Sequence, residues 1–144
     1  MQEFFYVRKN GRYEQARYSD LIFVKAMRGY MQLVTERQVY FVLNTIEEVE
    51  KYLPGELFCR THRSYIVALH RIIAFDQFKL NLCGPPDGKQ YSPGLSSVTE
   101  LPVGKAYRKN LRASITIVPN RINKNVKRIV SEAAFLLECQ LDEE

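Results

Sequence analysis

The chain has 144 residues, 46% of them hydrophobic and 26% charged, with a formal net charge of +5. That is the length of one domain with enough apolar matter for a real core, which excludes a chain disordered throughout, and the positive balance favours a polyanionic partner. No apolar run approaches the roughly 18 residues of a membrane span, the start lacks the pattern of a signal peptide, and Cys59, Cys83 and Cys139 are too scattered for a metal site or a disulfide framework, so a cytoplasmic protein is expected.

In chain order, the first half is a series of short β-rich runs: Glu3 to Lys9, Arg12 to Tyr18, Leu21 to Ala26, Tyr30 to Thr35 and Gln38 to Leu43. Their spacing predicts a mostly β fold with meander-like connections. Asn10-Gly11 suits a tight hairpin because both positions tolerate positive φ, and Glu36-Arg37 marks a second turn. Thr45 offers a helix N-cap, with Glu47 and Glu48 in the first turn ahead of Val49, Tyr52 and Leu53, and Pro54-Gly55 closes that short helix. Strands resume at Leu57 and run through Tyr65 to Leu69; Ile72 to Phe75 and Phe78 to Cys83 form a further pair around Asp76-Gln77. Between Gly84 and Thr99 the composition changes to Gly, Pro, Ser and Asp, predicting an extended surface loop. From Pro119 the apolar residues Ile122, Val126, Ile129, Val130, Ala133, Leu136 and Leu137 recur at three- and four-residue spacings, predicting a helix capped at Asn120 or Asn123. Its stripe packs on the parent domain or in a dimer. The stretch from Leu101 to Ser131 holds no acidic residue but contains Lys105, Arg108, Lys109, Arg112, Arg121, Lys124, Lys127 and Arg128, a solvated face by itself and a phosphate-binding face if a nucleic acid is the partner.

Within this frame, Phe58-Cys59-Arg60-Thr61-His62-Arg63-Ser64-Tyr65-Ile66-Val67 sets a basic, polar knot directly against an apolar β-branched strand. Alternation from Tyr65 to Leu69 buries part of the strand and leaves Arg60, His62 and Arg63 to meet an anion or a base edge. Cys59 is expected to pack as a small apolar residue. Three further stretches stand in order with it: Asp20-Leu21-Ile22-Phe23-Val24-Lys25-Ala26 with Gly29-Tyr30 behind, Ile46-Glu47-Glu48-Val49-Glu50-Lys51-Tyr52-Leu53, and Leu101-Pro102-Val103-Gly104-Lys105-Ala106-Tyr107-Arg108-Lys109-Asn110-Leu111. Together they resemble the LytTR family of bacterial DNA-binding domains over residues 3 to 113.

The resemblance implies stacked antiparallel β-sheets, with the short helix near 45–53 as part of the fold and the C-terminal helix near 120–139 beyond it. A LytTR-like domain over 1–113, with a loop insertion at 84–99 where the family crosses by a short turn, would then be followed by an extension over 114–144. The implied function is a transcription regulator, of the response-regulator type found in two-component systems. Such a protein grips successive major grooves of double-stranded DNA with loops, at promoter direct repeats, and a homodimer on DNA fits that geometry. Many such regulators carry an N-terminal receiver domain; here the resemblance begins almost at Met1, as in a stand-alone regulator, a receiver-less relative or a fragment.

Three places carry the expected contacts. Arg63 stands where the family has a DNA-contacting residue, between the histidine and the serine, and its guanidinium suits the O6 and N7 of guanine together; the alternative is an ion pair with a nearby carboxylate. His62 either supports the loop by hydrogen bonding or touches a phosphate. In the second place Arg28 and Tyr30 flank Gly29 on a turn, while Met31 aligns with a base-contacting family position and would offer an apolar contact, for example to a thymine methyl; Tyr30 fits a core position equally well. In the third, Lys105 matches the family's contacting arginine without its bidentate fork, and Arg108 and Lys109 suit phosphates. The departures are Ala68, where the family usually has Asn, and Gly104-Lys105, where Ser-Arg is common; both fall beside the implied site.

There is no Gly-rich phosphate loop, no Gly-x-Ser-x-Gly and no metal-spaced set of His and Cys, and Glu47, Glu48 and Glu50 read as a solvated helix face. No enzyme, cofactor, metal, small-molecule substrate or membrane partner is expected. Two other readings remain: an RNA binder, disfavoured because Tyr and Phe fall mostly at alternating core-like positions, and a protein-interaction or dimerisation module with a degenerate DNA surface, favoured by Ala68, Gly104 and Lys105.

Overall fold

The structure, a computed structural model, describes residues 2–84 and 97–120. The described residues form ten strands in three antiparallel sheets. β1 (Phe4–Lys9) and β2 (Arg12–Arg17) make a two-stranded ribbon, closed by Asn10 and Gly11 at φ 54° and 75°, as a tight hairpin of that sequence requires. The central sheet holds β3 (Leu21–Ala26), β4 (Met31–Thr35), β5 (Val39–Val42), β6 (Phe58–His62) and β7 (Tyr65–Ala68) in the order β5-β4-β3-β7-β6. Its two edge strands are joined through α1 (Ile46–Tyr52), capped by Thr45, whose hydroxyl accepts from the Glu48 amide at 3.2 Å. The third sheet runs β10-β9-β8, from β8 (Ile72–Phe75), β9 (Lys79–Cys83) and β10 (Val98–Pro102), and α2 (Arg108–Ser114) follows a 3₁₀ turn at Lys105–Tyr107.

The central sheet is covered on both faces, which explains why Leu21-Ile22-Phe23-Val24 is buried without a break. On one face Leu21, Val24, Leu33, Ile66 and Ala68 pack with Val7 and Ala16 of the ribbon and with Ile46 and Val49 of α1. On the other, Ile22, Phe23, Val34, Cys59 and Val67 pack with Leu80, Leu82, Leu101 and Leu111. Neighbours Ile22 and Phe23 share a face because the β3–β4 register shifts between Leu21 and Phe23, a bulge that breaks the strand's two-residue period. Away from the core, Arg71 clasps two connections: its guanidinium meets the Glu36 carboxylate at 2.6 Å and donates to the Ser19 carbonyl at 2.8 Å.

Several boundaries differ from expectation. The run from Leu57 to Leu69 divides into β6 and β7 about a turn at Arg63-Ser64. The expected loop loses Val98 and Thr99 to β10, where Thr99 and Leu101 point inward while Val98 and Glu100 face solvent. The Gly84 amide donates to the Ser97 carbonyl at 3.0 Å, so this segment joins a β9–β10 hairpin whose middle, 85–96, lies outside the described residues. The helix expected near 120–139 lies outside them as well, apart from Asn120. Neither β10 nor α2 is anticipated: β10 begins inside the segment read as loop, and α2 lies in the stretch whose dense cations mask its apolar periodicity.

Candidate nucleic-acid interface

Strand pairing brings together three segments that are remote in sequence. Because β7 lies between β3 and β6, the Ala26 amide donates to the Ser64 carbonyl at 2.8 Å, and the β3–β4 turn sits beside the β6–β7 turn. On the far side of β6, the Gly104 amide donates to the Thr61 carbonyl at 2.8 Å and docks the 3₁₀ turn that begins at Lys105. A Cβ on Gly104 would come 3.0 Å from Cδ2 of Tyr107 but an ordinary 3.5 Å from Cα of His62, so the glycine at this family departure makes room for the Tyr107 ring. All three expected contact places thus share one end of the central sheet.

At the β6–β7 tip Arg63 is exposed, and among the described residues no carboxylate lies within ion-pair distance of it. His62 is half-buried and supports the loop: its Nδ1 accepts the Ser64 amide at 3.0 Å and its ring lies 5.5 Å from that of Tyr65. Burial, and then the Arg63 charge, push its pKa below the usual histidine value. Nδ1 as acceptor assigns the proton of the neutral ring to Nε2, a donor not used in this bond.

On the β3–β4 turn Arg28 is exposed, Gly29 holds φ 86°, and the Met27 amide donates to the Tyr30 carbonyl at 2.8 Å. Tyr30 is half-buried against Phe41, ring centroids 5.8 Å apart, between the two alternatives weighed for it. Met31 requires a correction. It is 5% exposed and belongs to the core with Leu33, because residues two apart on β4 face the same way, so no apolar base contact from it is open in this conformation.

In the third place Lys105 and Lys109 are exposed and free of ion pairs among the described residues. Arg108 is half-buried, its Nε donating to the Gln77 carbonyl at 2.6 Å and its guanidinium 5.2 Å from the Phe78 ring, which ties α2 to the β8–β9 turn. Arg60 is also not free to meet an anion: its side chain is 16% exposed and paired with Glu47 at 3.4 Å. Ala68 is fully buried at the opposite end of β7 from the tip, so that departure concerns core packing and not base reading. Sequence reasoning missed Ser64, whose amide bonds His62 and whose carbonyl joins the two turns, and Tyr107, whose ring packs under Arg60; main-chain bonds and a contact between residues 47 positions apart leave no local sequence signal.

The described residues thus form a stack of antiparallel sheets that gathers exposed cations at one end, on two turns and on the 3₁₀ turn that leads into α2. A family model for the LytTr DNA-binding domain matches residues 11–116, and the chain belongs to that family of DNA-binding domains. The sensory transduction proteins LytT of Bacillus anthracis and of Bacillus cereus are each 26% identical to it over 98 residues, 68% of this chain. The chain spans 37% of the length of those curated relatives. A solved LytTr DNA-binding domain of a Bacillus cereus response regulator shares the fold, with a TM-score of 0.59 at 18% identity, covering 79% of this chain and 97% of that one. Among the described residues, no helix is long and apolar enough to cross a membrane.

Proposed function

We propose that this chain binds double-stranded DNA sequence-specifically as a transcription regulator, contacting successive major grooves through the three turns at the end of the central sheet. The observation that carries this reading is Arg63: a guanidinium that is exposed and without an ion pair among the described residues, on a turn whose main chain is held by Arg60 and His62. Arg63 reads a guanine, Lys105 and Arg28 with Tyr30 supply the flanking contacts, Lys109 meets phosphate, and His62 holds the tip with Nε2 left for a phosphate. Met31 stands outside this set, and Arg108 serves it chiefly by holding α2 in place. The binding unit is residues 1–113, the remainder is an extension, and the target is a promoter direct repeat occupied by two copies.

Selection from random duplex DNA tests the reading. The expected result is a recurring motif containing a guanine whose enrichment depends on Arg63, with log affinity falling against log salt by about 0.9 per phosphate contact. No motif, together with a flat salt dependence, would refute it. The argument from buried aromatics against RNA does not hold, since Tyr6, Tyr13, Phe41, Tyr52 and Phe78 are exposed. Competition between the selected duplex and single-stranded RNA therefore belongs in the same experiment, and preference for RNA would favour the rival reading.

A further inference from the structure

Arg60 lies on β6 beneath the tip, and one of its nitrogens serves two acceptors. Nη2 donates to the Arg63 carbonyl at 2.8 Å and reaches the Glu47 carboxylate at 3.4 Å. The guanidinium carbon sits 5.5 Å from the ring centroid of Tyr107, the last residue of the 3₁₀ turn that starts at Lys105. Meanwhile Nε is buried with no partner among the described residues. What the geometry achieves is a joint: one flat cation fixes the carbonyl of the residue offered to one base and lies on the ring that closes the turn offering Lys105. The Glu47 carboxylate, held below the usual range by its own backbone amide and, more weakly, by Arg60, answers the charge, so Arg60 is not a spare cation for phosphate.

We infer that Arg60 is a positioning residue for DNA recognition, aligning the Arg63 tip with the Lys105 turn, so that base discrimination at both contacts depends on a side chain that touches no DNA. This rests on the DNA reading of the site given above. A guanidinium gives the joint its two functions at once, since a planar fork can stack on a ring while donating from its edge, and an ammonium cannot.

The test compares Arg60→Met and Arg60→Lys with the unaltered chain, measuring discrimination at each base pair, the salt slope, and amide hydrogen exchange at Ser64 and Gly104 in the free protein. Expected for both variants is a loss of about tenfold in discrimination at the base pairs facing Arg63 and Lys105, an unchanged salt slope, and faster exchange at both amides. In an Arg63→Ala background, Arg60→Met should cost nothing further at the Arg63 base pair. Full retention of discrimination by Arg60→Lys overturns the inference, because charge alone would then suffice; a salt slope lower by about 0.9 overturns it too, by making Arg60 a phosphate ligand. If Arg60→Met does not fold, Arg60→Lys decides by the same readings. Should the unaltered chain show no base preference, the DNA reading fails by itself; the joint is then judged by exchange alone, and unchanged protection at Ser64 and Gly104 overturns it.

Discussion

The β6–β7 turn and the β3–β4 turn lie side by side, joined by the bond from the Ala26 amide to the Ser64 carbonyl, yet they are held differently. At the first, side chains grip the main chain: His62 takes the Ser64 amide and Arg60 the Arg63 carbonyl. At the second, one backbone bond between Met27 and Tyr30 closes the turn, Gly29 supplies the positive φ, and Arg28 projects freely. A contact that is ordered before binding gives up little entropy on the duplex and tolerates little misfit. On the DNA reading proposed above, the braced turn is expected to discriminate and the open one to hold.

The largest expected effect tests that division directly. Arg63→Ala should cost about 1–3 kcal/mol on the preferred duplex and relax one base pair, while Arg28→Ala weakens all sequences alike and lowers the salt slope by about 0.9. Binding titrations on matched and mismatched duplexes separate these outcomes, and indistinguishable effects would erase the contrast. Gly29→Ala probes the open turn. Nothing lies within 4 Å of the added Cβ, so the cost is the left-handed backbone alone, about 1–2 kcal/mol of thermal stability, with base preference retained.

Acid should act on the braced turn and spare the other. Protonated His62 cannot accept the Ser64 amide. Its folded-state pKa lies below the ordinary 6.5, so the bond contributes fully above pH 6.5 and is lost as the pH falls through the lowered folded value. The stake is roughly 1 kcal/mol, that of one hydrogen bond. The added positive charge meanwhile raises affinity for any duplex, so the ratio of specific to non-specific binding should fall with acid; His62→Gln should flatten that dependence. The smallest effect is expected from Lys105→Arg, which restores a bidentate fork on the docked turn and should tighten binding modestly where a guanine faces it, as read by selection with each variant.

What could be read from the sequence about this site was local. The Asn10-Gly11 hairpin, the Thr45 cap and the first five strands follow from turn chemistry and two-residue alternation, which any segment carries within itself. Even Met31 obeys that alternation with Leu33; it was placed on the surface by family alignment, against its own strand period. The cations of the site were equally legible by type, and Arg63 stands where the motif puts it. Which cations are free was not legible. Arg60 and Arg108 are bound to the carbonyls of Arg63 and Gln77, and a partner of that kind is a main-chain atom with no residue identity to recognise. The assembly of Arg28, Arg63 and Lys105 at one end of one sheet follows from β7 pairing between β3 and β6, and from Gly104 docking on Thr61. Those are contacts between segments tens of residues apart, decided by the burial of two core layers at once and so available only to the folded chain.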